Sequence, residues 1–283
     1  MSAVEESRAA AAPATSGAEE GPSPLFAAYI RRLRFERWMV RVTQLLAIVA
    51  FFALWEIAPR AHWVNPLLTS YPSAIWPVLV DMAQKGDLFH HVWVTFEESV
   101  VGFTLGLSGG ILIAIGLWWS RFAYRASDPF LVVANAMPKA ALAPIFYIWL
   151  GEKESIYGIA VAIGLFITII MIYNGFNEVD PNKVKLARTF GASRPQILQK
   201  VILPGSVPTM IAALKINVGL SLVGVIVGEF QSSKAGLGYL IVYGSQIFQM
   251  NLAMMAITIL AVISTVMYIA IFYFERAVLK HRQ

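Results

Sequence analysis

The sequence predicts an all-α membrane protein with six transmembrane helices, and three observations predict it. Hydrophobic residues make up 58% of the 283 positions and charged residues only 14%, more apolar surface than a soluble domain of this size can hide. Six windows reach the roughly 20 apolar residues that a helix needs to cross a bilayer core. Lys and Arg then collect in alternate connections between those windows, as they do when one membrane face is cytoplasmic.

Taken in chain order, residues 1–24, "MSAVEESRAAAAPATSGAEEGPSP", are Ala, Pro, Ser, Gly and Glu with almost nothing large and apolar. Such a composition cannot bury enough surface to order itself, and a disordered cytoplasmic tail is expected. It has neither the basic start nor the short apolar core of a cleaved signal, so the first apolar segment should remain as a span. Residues 25–283 then form one membrane domain with spans at about 39–58, 94–118, 128–150, 156–176, 207–229 and 252–274. Between the first two, Tyr71-Pro72-Ser73 reads as a turn into a short amphipathic helix lying on the membrane surface. Trp63, Trp76 and Trp93 suit the headgroup level there.

Orientation follows from the basic residues. With the N-terminus inside, Arg31, Arg32, Arg34, Arg37 and Arg41 fall on the inner side. Arg121 and Arg125 join them, followed by the run Lys183 to Lys200 and the C-terminal Arg276, Lys280 and Arg282. Only Arg60, Lys85, Lys153 and Lys234 fall outside, which places both termini in the cytoplasm. The net charge of +5 is therefore a topological signal, with no nucleic-acid partner implied. The sequence has no cysteine, which excludes disulfides and thiolate metal sites.

The connection at about 177–206 is the one long basic stretch between spans. Asp180-Pro181 reads as an N-cap followed by proline at the first helical position, and Gly191 suits the left-handed residue that ends a helix. Ser193-Arg194-Pro195-Gln196 fits a capping box opening a second short helix, which Pro204 is expected to stop. The first helix has about ten residues, or roughly 15 Å, too short to span. Val184, Ala187 and Gly191 share one side of it and Leu186 and Phe190 an adjacent one. Spacing alone leaves two readings open. The helix either lies on the inner leaflet or is a knob, with Phe190 entering a partner's apolar groove and Ala187 and Gly191 permitting close approach.

Residue identities decide between them. Lys185-Leu186-Ala187, then Gly191-Ala192-Ser193, then Val201-Ile202-Leu203-Pro204 resemble the cytoplasmic loop of binding-protein-dependent ABC importer permeases. The usual form is Glu-Ala-Ala, a glycine four residues on, and an Ile-x-Leu-Pro ending. The departures are Lys185 in place of the Glu and Leu186 in place of the first Ala. The stretches "YPSAIWPVL", "MPKAALAPIFYIWLG", "VDPNKVKLARTFGASRPQIL" and "GLGYLIVYG" further resemble the branch that imports sulfonates, taurine, nitrate, bicarbonate and related compounds. The likeness covers about residues 40–278.

That resemblance implies the type I ABC importer transmembrane fold, in a homodimer in the bacterial cytoplasmic membrane. It implies two ATPase subunits, a periplasmic or lipid-anchored substrate-binding protein, surrounding membrane lipid, and a small anionic solute. The loop helix would be the coupling helix, with Lys185, Leu186, Ala187, Arg188, Phe190, Gly191, Ala192 and Pro204 meeting the ATPase. ATP and Mg would sit on that partner, since this chain has no G-x-x-x-x-G-K-[ST] loop to cradle phosphates and no cofactor of its own.

Some patterns invite other readings. Gly106-Leu107-Ser108-Gly109-Gly110 matches a nucleophile elbow, but Ser108 lies mid-span and the histidines fall in loops or at the end, so small residues for helix packing are expected. His90-His91 lacks a companion pair of ligands, and Gly236-Leu237-Gly238 needs to be no more than a tight external turn. Intramembrane polar residues are suspect, because a charge at a helix centre costs roughly 2.5 to 3.5 kcal/mol. Lys139, beside Pro138, either lines a pathway at a broken helix or snorkels to headgroups. Asn217, Ser221 and Glu229 form one stripe at about 100° per residue, suited to a pathway wall or to helix–helix hydrogen bonds. A secondary transporter or channel is the rival function. The spans offer it only Glu56, Glu97, Glu98 and Glu229 as coupling carboxylates, mostly near span ends.

Overall fold

The computed structural model describes residues 24–280; of the expected tail, residues 1–23 lie outside them, as do His281 and Arg282. The described residues are helical apart from short connections. They divide into two compact units, residues 24–57 and 58–280.

The first unit is essentially one helix, α1 (Pro24–Arg60). Its 37 residues would reach about 55 Å at the α-helical rise, well beyond a hydrocarbon core of roughly 30 Å. The excess is the Arg-rich start, where Arg32 pairs with Glu36 at 3.1 Å one turn on. The apolar remainder ends in a cluster of Phe51, Phe52 and Trp55 rings.

The second unit begins with α2 (Pro66–Thr69), capped by Asn65 Oδ1 accepting from Leu67 N, and α3 (Pro72–Lys85). Pro72 opens α3 and Gly86, at φ +86°, closes it. A short helix after Tyr71 is what the sequence predicts; Trp76 on it, Trp63 before it and Trp93 after it are all exposed. Four further helices are long and apolar enough to cross a membrane: α4 (Asp87–Trp119), α7 (Glu152–Asn177), α11 (Val207–Ser232) and α13 (Met250–Lys280).

The expected third span at 128–150 is not one helix. α5 (Arg121–Ala136) ends at Met137, a 3-10 turn over Lys139–Leu142 leads into α6 (Ala143–Leu150), and this arm, Lys139–Leu150, leaves at 85° to α5. Pro138 is the cause: its ring excludes the preceding residue from helical backbone, and Met137 accordingly adopts φ −62°, ψ 140°. The two arms together make a sixth span if both cross.

At the centre, α4, α7 and α11 pack against one another through small residues. A Cβ on Gly224 would fall 2.5 Å from Ala160 Cα, and one on Gly110 would fall 2.5 Å from Thr168 Cβ. Only glycine allows backbones this close, a device of helices that meet in lipid, where the hydrophobic effect does not drive association. The Gly106–Gly110 run thus serves packing, and Ser108 Oγ donates to Thr104 O at 2.6 Å within its own helix.

One end of this trio carries a large apolar cluster. Ala114 and Leu117 of α4, Ile169, Ile172, Tyr173 and Phe176 of α7, and Ala213 of α11 enclose Ile197, Leu198 and Ile202 from the connection between α7 and α11. Tyr124 of α5 stacks on Tyr173 at 3.6 Å. The basic stretch is anchored by its own apolar residues.

Candidate functional site

The anchored connection is stiff, and local chemistry makes it so. In α8 (Pro181–Thr189), Asp180 Oδ1 accepts from Asn182 N at 2.8 Å. At the other end Gly191 N donates to Arg188 O at 2.9 Å and Ala192 N to Ala187 O at 3.0 Å. That is a Schellman termination, and the φ of +78° at Gly191 is what it requires. α9 (Arg194–Ile197) follows at once, with Gln196 Oε1 accepting from Ser193 N at 2.8 Å and from Ser193 Oγ at 3.0 Å.

Pro204 does not stop this second helix. α9 widens into a π turn over Leu198–Ile202 and continues as α10 (Leu203–Gly205), with Pro204 in its first turn. A proline cannot donate to the carbonyl one turn back and its ring crowds that carbonyl. A single π turn relieves both, and such turns recur at functional sites.

The spacing of α8 gives it two faces with different chemistry. On one, Lys183, Leu186, Ala187 and Phe190 face Lys200, Val201, Pro204 and Gly205 across an open groove of about 650 Å³. Phe190 is 82% exposed and Leu186 57%, a large apolar tip held on a capped helix and left open by the other described residues. On the other face, Lys185 and Arg188 line a separate cavity with Arg194, whose Nη1 donates to Trp119 O at 3.2 Å. Of the eight predicted coupling residues, then, Leu186, Ala187, Phe190 and Pro204 share the groove, whereas Lys185 and Arg188 point away from it. Ala192 packs on the core. Among the described residues nothing lies within 4 Å of a Cβ built on Gly191, so its backbone angle is the constraint on that residue there.

The stripe of Asn217, Ser221 and Glu229 faces α4 and α7 and is 1–2% exposed. It lines neither of the two cavities described above, and each of its members is hydrogen-bonded within the bundle. Asn217 Nδ2 donates to Ala213 O at 2.9 Å while its Oδ1 faces Gly164. Ser221 Oγ donates to Ser99 O of α4 at 2.8 Å. Glu229 accepts from Thr95 Oγ1 at 2.6 Å and from Gly238 N at 2.5 Å. Thr95 Oγ1 in turn accepts from Leu237 N at 2.7 Å. Gly236 and Gly238 are glycine because a Cβ at either would strike the Glu229 carboxyl. The Gly236-Leu237-Gly238 turn is therefore a carboxylate cradle at the start of α12 (Leu237–Gln246).

His91 lies on α4 and not in a loop; its Nδ1 accepts from Gly236 N at 3.0 Å, fixing the same turn. Sequence reasoning missed Thr95 and His91 because nothing near them in the chain announces a bond to a segment some 140 positions away. It also missed the ion pair of Lys215 with Glu275 of α13 at 2.6 Å. Lys139 sits at the break between α5 and α6, its Nζ donating to Asn135 O at 2.5 Å and lying 5.8 Å from the Phe166 ring.

A bundle of crossing helices with a rigid, apolar-tipped helix hung outside its core is the architecture of a membrane-spanning transport subunit. The chain belongs to the family of binding-protein-dependent transport system inner membrane components, whose model matches residues 106–280. It is 28% identical over 239 residues to the putative aliphatic sulfonates transport permease protein of Bacillus subtilis, covering 84% of this chain and 87% of that one. It is 23% identical to the taurine transport system permease protein of Escherichia coli, over 83% and 88% of the two chains. In fold it resembles the inward-facing MetNI methionine ABC transporter, with a TM-score of 0.57, 18% identity and coverage of 71% of this chain and 98% of that one. The chain is thus an ABC permease subunit and not an enzyme. ATP hydrolysis belongs to a separate ATPase, and a substrate-binding protein completes such a system.

Proposed function

We propose that this permease imports a small anionic solute of the sulfonate or taurine kind, delivered by an extracytoplasmic binding protein that is periplasmic or lipid-anchored. Two copies form the pathway, each seating α8 in one of two ATPase subunits that hold ATP and Mg. Both termini face the cytoplasm, in agreement with the bias of Lys and Arg toward the α8 side of the membrane. Lys139, at the proline break, supplies positive charge to the pathway, as broken helices do in transporters.

The observation that carries this reading is the exposed pair Leu186 and Phe190 on a helix capped at both ends. A large apolar side chain left in water on a rigid helix is suited to a helix-in-groove contact. When nucleotide draws the ATPases together, α8 is pushed. Because Ile197, Leu198 and Ile202 of the same connection are packed among α4 and α7, the push passes to the spans.

The test is the double variant Leu186→Ala/Phe190→Ala. Uptake and co-purification of the ATPase should both be lost while the permease remains in the membrane at normal level. Normal uptake with the ATPase still bound would refute the docking role. Solute movement by the permease alone, in sealed vesicles without ATPase, would refute ATP coupling.

A further inference from the structure

The face of α8 turned away from the docking groove borders a cavity of about 670 Å³ that the transport mechanism does not use. Its walls carry Arg121, Lys185, Arg188 and Arg194 together with Trp118 and Trp119. No Asp or Glu lines it, and the Oδ1 of Asp180, just before α8, is taken by Asn182 N. Among the described residues none of the four cations has a carboxylate within ion-pair distance. Arg194 is held by the Trp119 carbonyl, so at least one guanidinium is set in place before any ligand arrives. Four unneutralised cations round one hollow repel each other, and an anion relieves that repulsion.

The place of the cavity says which anion. It lies where α4 and α7, two crossing helices, reach their ends at Trp119 and Asn177, the level at which tryptophan meets lipid headgroups. Beside it the lining residue Trp119 is partly exposed, Phe122, next to the lining Arg121, is 82% exposed, and Leu112, two turns before Trp119 on the same face of α4, is exposed as well. That surface offers acyl chains a track leading to the cations. A free anion would have no use for it. A docking protein already has its own face, the opposite one.

The geometry points to a binding site for the phosphodiester headgroup of an anionic phospholipid, of the phosphatidylglycerol or cardiolipin class, under α8. Basic pockets between crossing helices suit such headgroups, and the volume leaves room for more than one phosphate. A bound lipid bridges Arg121, at the start of α5, to Lys185 and Arg188 of α8, and so steadies the helix on which the ATPase pushes. This goes beyond the transport reading and holds for any solute.

The test is native mass spectrometry of the purified full-length permease, titrated with phosphatidylglycerol, cardiolipin or phosphatidylcholine. The anionic lipids should bind far more tightly than phosphatidylcholine. Arg121→Gln/Arg188→Gln should weaken them by roughly thirtyfold, at about a factor of five per cation. Arg121→Lys/Arg188→Lys should keep most of the binding and guards against misfolding. Lys183→Gln/Lys200→Gln, which removes the same charge from the docking groove, should leave lipid affinity near the wild-type value.

Several results overturn the proposal. One is equal binding of phosphatidylcholine. Another is equal loss in the two glutamine doubles, which would mean diffuse surface charge. Displacement of phosphatidylglycerol by inorganic phosphate at comparable concentration would mark a site for soluble anions. Unchanged lipid binding with loss of ATPase co-purification in the Arg121/Arg188 double would mark a protein contact.

Discussion

Thr95 is the residue on which the cradle at the start of α12 turns, and Thr95→Val isolates its hydroxyl with little change of shape. That oxygen donates to Glu229 Oε1 at 2.6 Å and accepts from Leu237 N at 2.7 Å. Thr95 and Leu237 are wholly buried and Glu229 is 1% exposed, so water cannot replace the lost partner. Valine leaves one buried N–H unpaired and takes one of Glu229's donors, each at about 1–3 kcal/mol, for roughly 2–6 kcal/mol together. At about 2–4 °C per kcal/mol for a chain of this size, the melting temperature falls on the order of 10 °C. Thr95→Ser keeps the hydroxyl and should lose far less. Thermal unfolding of the three purified proteins in one detergent reads the difference. A Thr95→Val protein that melts with the wild type, or a Thr95→Ser protein that falls as far, would refute the claim that these two bonds hold the turn.

Other outcomes follow from the same geometry. Gly224→Val should abolish accumulation of the permease in the membrane, because the Cβ would lie 2.5 Å from Ala160 Cα and backbone cannot yield; immunoblots of membrane fractions check it. Gly191→Ala forces an L side chain into the left-handed region at a cost of roughly 1–2 kcal/mol and should weaken ATPase co-purification, while Gly191→Asn, better tolerated there, should weaken it less. Lys139→Gln should slow uptake of an anionic solute at saturating binding protein, with Lys139→Arg close to wild type; equal rates in all three would remove Lys139 from the pathway.

What could be read from the sequence was what is local. Asp180, Pro181 and Gly191 announce the ends of α8 because each acts on backbone within a few residues of itself. The apolar windows announce crossing helices because hydropathy sums over one segment. Hydropathy alone hides the break in the third window because an average over 128–150 passes smoothly across Pro138, whereas the effect of a proline on its predecessor is local and marks the break. Pro204 misled in the opposite direction. Whether a proline ends a helix or is absorbed in a π turn depends on what holds the turn, here Leu198 and Ile202 in the core. The partners of Glu229 were out of reach, since Thr95 and Gly238 become neighbours only once α4 and α11 have met. The two faces of α8 were half legible: spacing separated Leu186 and Phe190 from the basic residues, but only the fold put Arg121 and Trp118 opposite Lys185.

The close seam of α4, α7 and α11 limits what this molecule can do when driven. Helices packed as closely as these are at Gly110 and Gly224 have no slack with which to slide past each other, and the Ser221 and Thr95 bonds act as dowels across the joint. A stroke delivered to α8 should therefore swing all three as a single plank. The yielding must come elsewhere in the protomer, and the proline corner between α5 and α6 is the natural hinge.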